Sequence, residues 1–568
     1  MAGRSATMPA RAIPREPVRA VTGPWLGWAS VGAATVWLIL GVSALRLAYI
    51  LWLCPYTLAE DEAHYWEWSR RLDWSYYSKG PGIAWIIAAS RAFFDSLGLP
   101  AAEGAVRAPS VLLGAVAAAG VAGLARDITR DNRVAFIAAL LVLLTPAFQV
   151  ASTMMTIDIA YLAMWAVAAW AGWRALEGES RWAWVVLGAA IGAGFLVKYT
   201  MALIIPGIVA YAVIRRHRLR PAPGWPAWAA LGAAAALLGA LPIVIWNAQN
   251  DWPTARHLLG HLGLAGGDMP VAPGRGWRYN PLWTVNYLAL QFAVMLPASI
   301  LFIAGAAMAW RRRHKEADEW PARLYPLLLA APVLLFYLAV TLATDVEPNW
   351  PIAAYVPLFV LGGWYVVTSH DAYLSGGRHR RSAIMTWRFT MMVGLTTGLL
   401  MLRLDVMAES RLARWTEAVL RSAGAFRESQ KVIPTGRFMG ADVMAASAAS
   451  HGGALREETG REPFYISSVY GRASQLAYYL PGQPAVYSPG PRTGGRPTQY
   501  DFWPDTDLEN PALRGRPAVL VGGDIDQWRP AFAEVREIGQ LAGETKKGRL
   551  TFVGIGYRGF PRAARSAR

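Results

Sequence analysis

From Val31 onward the chain reads as a succession of long apolar runs separated by short polar breaks. The first run, Val31 to Leu53, is long enough to cross a bilayer as one helix, which takes about 20 residues. Ten more follow, near 104–125, 134–151, 157–173, 182–197, 200–214, 227–246, 283–310, 324–343, 351–368 and 383–402. That pattern predicts about eleven transmembrane helices. Residues 83–99 are also apolar but hold Arg91 and Asp95, and they are expected to lie along the interface. The distribution of basic residues supports this. With the N-terminus inside, the predicted inner segments carry 21 Lys and Arg against 7 outside, whereas an extra span would send RRHRLR and RRRHKE to the wrong face.

After Leu402 the periodicity changes. Short β-branched or aromatic stretches, Phe464–Ser467, Ala485–Ser488, Ala518–Gly522 and Thr551–Ile555, alternate with helical patterns such as Gly471–Leu480. The fold expected is a polytopic α-helical membrane protein with a C-terminal α/β domain outside the cytoplasm. Its parts would be a basic cytoplasmic leader (1–24), a membrane domain (25–402) with outer loops 54–103 and 247–282, and a soluble domain (403–568).

Composition agrees. The 568 residues are 54% hydrophobic and only 16% charged, against about a quarter in soluble domains. The net charge of +17 follows from basic inner loops and does not call for nucleic acid. A single cysteine, Cys54, excludes an internal disulfide or a Cys-rich metal site. No GxxxxGK[ST], HExxH or GxSxG motif occurs, and GAAIGAGF (188–195) lies within a spanning run, where small residues serve helix packing.

Chemistry concentrates on the predicted outer face. Glu60-Asp61-Glu62 follows the first span in LAEDEAHYWEWSRRLDWSYYSKGPG, and Asp158 opens the fourth. The cluster could be a solvated loop edge and Asp158 a helix cap, yet acids at an apolar boundary usually face a cavity or a partner. Helical spacing puts Asp61, His64, Tyr65 and Trp68 on one face, with Tyr65, Trp66, Trp68, Trp74, Tyr76 and Tyr77 at headgroup level as an aromatic belt. Lys79 precedes Gly80-Pro81-Gly82 on a stiff turn. Acids, a lysine and aromatics together suit a sugar joined to a phosphate and a lipid tail. Lys198-Tyr199, the WNAQNDWPTARHL loop with Arg256 and His257, and TDVEPNWP with Glu347 and Asn349 repeat the theme. For each of these a capping or snorkelling role is the alternative.

AEDEAHYWEWSRRLDWSYYSKGPGIAWI resembles the first outer loop of the polyprenyl-phosphate-sugar glycosyltransferases of the GT-C superfamily, which include protein O-mannosyltransferases and lipid A aminoarabinose transferases. GFLVKYT, VEPNWP, LAYYLPGQPAVY and QYDFWPD are similar to later stretches of the bacterial members. The resemblance implies Asp61 as catalytic base with Glu62 beside it, Asp158 as a second-loop acid organising the site, and Lys79 and Lys198 as donor-phosphate contacts. Arg256 is a further phosphate candidate, and His64, Tyr65, Tyr77, Tyr199, Glu347 and Asn349 are candidate substrate contacts. SKGPG departs from the Pro-Pro pair of many relatives, and Gly80 is expected to loosen that turn. The activity implied is inverting transfer of a sugar from a polyprenyl-phosphate donor to a lipid, glycan or protein acceptor at the outer face of the cytoplasmic membrane. A divalent cation held by two carboxylates stays open. The competing reading is a lipid-linked-sugar flippase or transporter, which should carry ionisable groups near the bilayer midplane and paired inverted halves.

Overall fold

The computed structural model describes residues 28–100, 102–261, 266–268, 279–376, 381–422, 435–545 and 549–561; the leader and part of the 247–282 loop lie outside them. All eleven apolar runs are helical. Six helices are individually long and apolar enough to span: Ser30–Trp52, Glu103–Thr129, Ile157–Leu176, Trp225–Gln249, Trp320–Val340 and Ile352–Leu374. Asn132–Leu144, Trp182–Val197 and Tyr199–Arg215 are shorter. The 283–310 run, expected as one span, is instead two helices, Pro281–Val294 and Ala298–Arg312, bent by 98°. Pro297 stands at the break, where it has no N–H to continue the ladder. The Gly82–Ser96 helix, 15 residues long, is too short to cross a bilayer by itself.

Small residues set the helix spacing. A Cβ on Gly188 would lie 1.8 Å from the Gly232 carbonyl oxygen, so the Trp182–Val197 and Trp225–Gln249 helices touch backbone to backbone. Such contacts replace the hydrophobic effect, which lipid does not supply between helices.

The soluble part holds a five-stranded sheet of β1 (Phe464–Ser467), β2 (Val486–Tyr487), β3 (Ala518–Val521), β4 (Phe532–Gly539) and β5 (Thr551–Tyr557). Their order is β2-β1-β3-β5-β4. β1 pairs in parallel with β2 and β3, while β5 runs antiparallel between β3 and β4. The Tyr470–Tyr479 helix connects β1 to β2. It packs on the Glu60–Ser69 helix, and one apolar cluster runs through both, joining Trp66 and Trp68 to Ala473, Leu476 and Ala477.

That seam changes the expected aromatic belt. Trp66, Trp68 and Tyr76 are fully buried, and only Trp74 of the six aromatics is exposed. Trp68 stacks on Tyr76 at 4.3 Å, and the Tyr76 hydroxyl donates to the Trp68 and Arg71 carbonyls at 3.0 Å each. The aromatics make an interior between two domains instead of a headgroup-level ring, because the soluble domain covers the loop.

Candidate active site

The Glu60–Ser69 helix places its first-turn acids where the helix dipole favours negative charge. Adjacent residues on a helix point about 100° apart, so Asp61 and Glu62 meet different surroundings. Glu62 is fully buried. Its Oε1 accepts from Arg107 Nε at 2.8 Å and the Met155 amide at 3.0 Å; its Oε2 accepts from Arg107 Nη2 at 2.6 Å and the Ala59 amide at 3.0 Å. Arg107 also donates to the Tyr56 and Thr57 carbonyls at 2.9 Å. Glu62, expected beside the base as a catalytic group, is therefore an anchor, since four donors occupy its two oxygens. It ties the helix to the Glu103–Thr129 span and to the loop before Asp158.

Asp61 is exposed on the opposite side of the helix start, and among the described residues nothing hydrogen-bonds its carboxylate. Partial removal from water pushes its carboxyl above the usual range, the neighbouring Glu60 charge adds to this, and Lys79 opposes it. Lys79 is half-buried and its ammonium makes no ion pair or hydrogen bond among the described residues. Desolvation, with the positive charges of Lys198 and Arg496, brings it down to about 8. An unengaged carboxylate and an unengaged ammonium thus lie within each other's field.

The third element is a triad drawn from three loops. Asp158 Oδ1 accepts from Lys198 Nζ at 2.9 Å, and Oδ2 accepts from Asn349 Nδ2 at 2.7 Å. Lys198 also sits over the Tyr161 ring at 5.1 Å. The lysine is brought alongside Lys79 by the glycines of SKGPG. A Cβ on Gly80 would lie 2.2 Å from the Leu196 carbonyl oxygen, and one on Gly82 would lie 2.8 Å from Val197 Cγ2. Gly80, expected to loosen the turn, instead lets it dock on residues 196–197. The Lys79 carbonyl is fixed from behind by the Tyr76 amide at 3.1 Å and the Ser75 hydroxyl at 3.2 Å.

Other expected contacts fall elsewhere. His64 is buried in the domain seam. Its Nε2 accepts from Trp68 Nε1 at 3.2 Å, so Nδ1 carries the proton and donates to Ser474 Oγ at 2.9 Å, and burial lowers the imidazole to about 3. A neutral ring with both nitrogens engaged has nothing left for a substrate. Tyr77 is likewise occupied: its amide donates to Gln499 Oε1 at 2.7 Å, its hydroxyl meets Asp268, and its ring stacks on Phe502. Tyr65 is buried beside Asp61, whose charge helps to hold the phenol well above its usual range after desolvation. Tyr199 packs on Phe195, and Arg256 and Glu347 are exposed and stand apart from the Asp61–Lys79 pair. Among the described residues no three His, Cys, Asp or Glu side chains converge as a metal site.

Three contributors escape a reading of the first loop. Arg107 announces itself only as a lone arginine inside an apolar run. Tyr470 and Arg496 come from the soluble domain: the charge of Asp61 acts on Tyr470, and that of Arg496 acts on Lys79. Nothing local in SVYGR or GGRPT signals this.

The architecture matches a solved structure throughout. ArnT from Cupriavidus metallidurans bound to undecaprenyl phosphate superposes with a TM-score of 0.56 at 16% identity, covering 92% of this chain and 98% of that one. Residues 78–246 match the family described as dolichyl-phosphate-mannose-protein mannosyltransferase. That stretch carries the family's domain, and the chain as a whole has the ArnT-like fold. Among similar GT-C proteins are the lipid A galacturonosyltransferase RgtD of Rhizobium johnstonii, 28% identical over 305 residues, which are 54% of this chain and 59% of that protein. Another is the undecaprenyl phosphate-alpha-4-amino-4-deoxy-L-arabinose arabinosyl transferase of Pseudomonas aeruginosa, 28% identical over 301 residues, or 51% of this chain and 50% of that one. The chain thus aligns with half to three fifths of the length of these curated relatives. The family match begins at Ser78 and includes Lys79, Asp158 and Lys198, whereas Asp61 lies upstream of it.

Proposed function

We propose that this chain is an inverting glycosyltransferase that moves a sugar from a polyprenyl-phosphate carrier to a hydroxyl or phosphate oxygen of an acceptor. The observation that carries the reading is the contrast between adjacent acids: Glu62 is saturated by four donors, while Asp61 is unengaged beside an unengaged Lys79. The acceptor oxygen attacks the anomeric carbon and its proton passes to the Asp61 carboxylate. The bond from that carbon to the phosphate oxygen breaks, and its electron pair leaves with the polyprenyl phosphate. Lys79 stabilises the phosphate charge as it develops, and Lys198, oriented by Asp158, completes a cationic floor. A phosphate is already a good leaving group, so no general acid is needed. The excess of basic residues on the opposite loops supports an outer-face site in the cytoplasmic membrane. The name of one relative, the lipid A galacturonosyltransferase RgtD, favours a lipid A-type acceptor.

The test is transfer of radiolabelled sugar from polyprenyl-phosphate donors to lipid A by purified protein. Asp61→Asn should lose ~10²-fold or more, the span of a positioned base, with unchanged thermal stability because the side chain bonds to nothing. Retained activity in that variant would move the base elsewhere. Movement of lipid-linked sugar across proteoliposomes without any transfer would establish a flippase instead.

A further inference from the structure

The soluble domain has its own cavity of about 440 Å³. It opens where the parallel strands end: Ser468 follows β1, Ser488 follows β2, and Gly523 follows β3. In open α/β sheets the crevice beyond the carboxyl ends of the strands is where ligands bind. The Tyr470–Tyr479 helix begins at its wall and directs its dipole there. Glu60 stands beside that helix start and is paired with Arg472 at 3.4 Å.

The lining identifies a chemical class. Ser488, Thr493, Thr498 and Gln527 present hydroxyl and amide groups, four glycines expose backbone, and Arg496 brings a positive charge. Among the described residues no carboxylate lines the cavity, and Val469 is its one aliphatic side chain. An acyl chain or an apolar peptide would find little to bury there. A hydroxyl-rich anion would meet the Arg496 charge, while Thr493 and Thr498, whose hydroxyls donate to the Gly490 carbonyl and to Asp501, offer oxygens to its hydroxyl groups. The volume, within the ~300–1,000 Å³ of small-molecule sites, accommodates one sugar ring with its phosphate.

The cavity adjoins the proposed reaction centre: Tyr470 on its wall lies 4.7 Å, ring to ring, from His64 on the helix that carries Asp61, and the field of Arg496, also on its wall, reaches Lys79. We infer that this cavity is the acceptor subsite, which holds a phosphorylated sugar of the acceptor headgroup and presents its neighbouring oxygen to Asp61. The assignment rests on the transferase reading and specifies which domain selects the acceptor. The soluble domain recognises the headgroup, while the membrane-level lysines face the donor.

Binding can be measured without turnover. In a Cys54→Ser background, Thr493→Cys places a lone thiol on the cavity wall. Its alkylation by a maleimide should slow at least 5-fold in 10 mM glucose 1-phosphate and be unaffected by 10 mM glucose or by polyprenyl monophosphate in detergent. Arg496→Gln in that background should remove the protection. Absence of protection by glucose 1-phosphate overturns the subsite. Protection by the polyprenyl phosphate overturns it in favour of the donor, and equal protection by inorganic phosphate reduces it to an anion site with no sugar recognition. In turnover, Thr493→Trp should raise the KM for lipid A at least 10-fold and leave the donor KM in place. Protection without transfer by the wild type would refute the transferase and keep the phosphosugar site; transfer without protection would do the reverse.

Discussion

Replacing Arg107 by methionine should unseat the helix that carries Asp61. The methionine matches much of the arginine's length but leaves the Glu62 carboxylate, fully buried, with two backbone amides and no countercharge. It also strips donors from the Tyr56 and Thr57 carbonyls. Removing one partner of a buried ion pair costs about 3–5 kcal/mol, which at ~1.4 kcal/mol per decade is roughly 10²- to 10³·⁵-fold in the balance between seated and unseated loop. Limited trypsinolysis in detergent reads that balance, because cleavage under native conditions follows the population of the open form. Arg70, Arg71 and Lys79 supply the sites, and mass spectrometry assigns them. Glu62→Gln alone should open the loop less, since the amide keeps a hydrogen-bonding oxygen. The double variant should be less damaged than the sum of the singles by at least ~1 kcal/mol, the signature of direct coupling. If cleavage in Arg107→Met stays within ~3-fold of wild type, or if the two substitutions simply add, the anchor does not exist as described.

The pH dependence of kcat/KM should be bell-shaped. Asp61 must be ionised to take a proton, and its raised pKa means that activity falls with decreasing pH already above the ordinary aspartate value of about 3.9. Lys79 must be charged to hold the phosphate, so activity falls as pH rises through about 8; Lys79→Arg should erase that alkaline limb, because a guanidinium stays charged. Gly80→Ala puts a methyl group against the Leu196 carbonyl and should cost about 1–3 kcal/mol of overpacking, seen as a higher donor KM in a protein that still folds by size-exclusion chromatography. Asn349→Ala removes one of two partners of Asp158 and should lower kcat modestly, by less than ~10-fold, whereas Lys198→Met should lower it by more in the same transfer assay.

Much of the framework was legible in the sequence because it is local. Apolar runs of bilayer length became helices, Phe464–Ser467 became a strand, and Thr551–Ile555 became most of another, Thr551–Tyr557. What escaped depends on distance along the chain. Helical spacing grouped His64 with Asp61, but it carries no information about Ser474, whose hydroxyl turns His64 into a structural residue from 410 positions away. Two adjacent glutamate and aspartate side chains read alike until Arg107 claims one of them. The bend between Val294 and Ala298 was invisible because hydropathy is unchanged across it and only backbone direction differs. Gly80 was misjudged as flexible, when the deciding quantity is the absence of a Cβ facing Leu196.

The seam across the Glu60–Ser69 helix also imposes an order of events during synthesis. Arg107 follows Glu62 by 45 residues, so at ~5–20 residues per second the anchor is available roughly 2–9 s after the acids are made. Ser474 for His64 and Asp505 for Arg71 come 410 and 434 residues later, a wait of roughly 20–90 s. Through that interval the ribosome has delivered a helix pinned on one face, with Trp66 and Trp68 still lacking the domain that covers them. A chain released early would insert its helices and hold Glu62 in place, yet never close over Asp61. Premature termination would then leave the Glu60–Ser69 helix seated against the membrane helices with its other face uncovered.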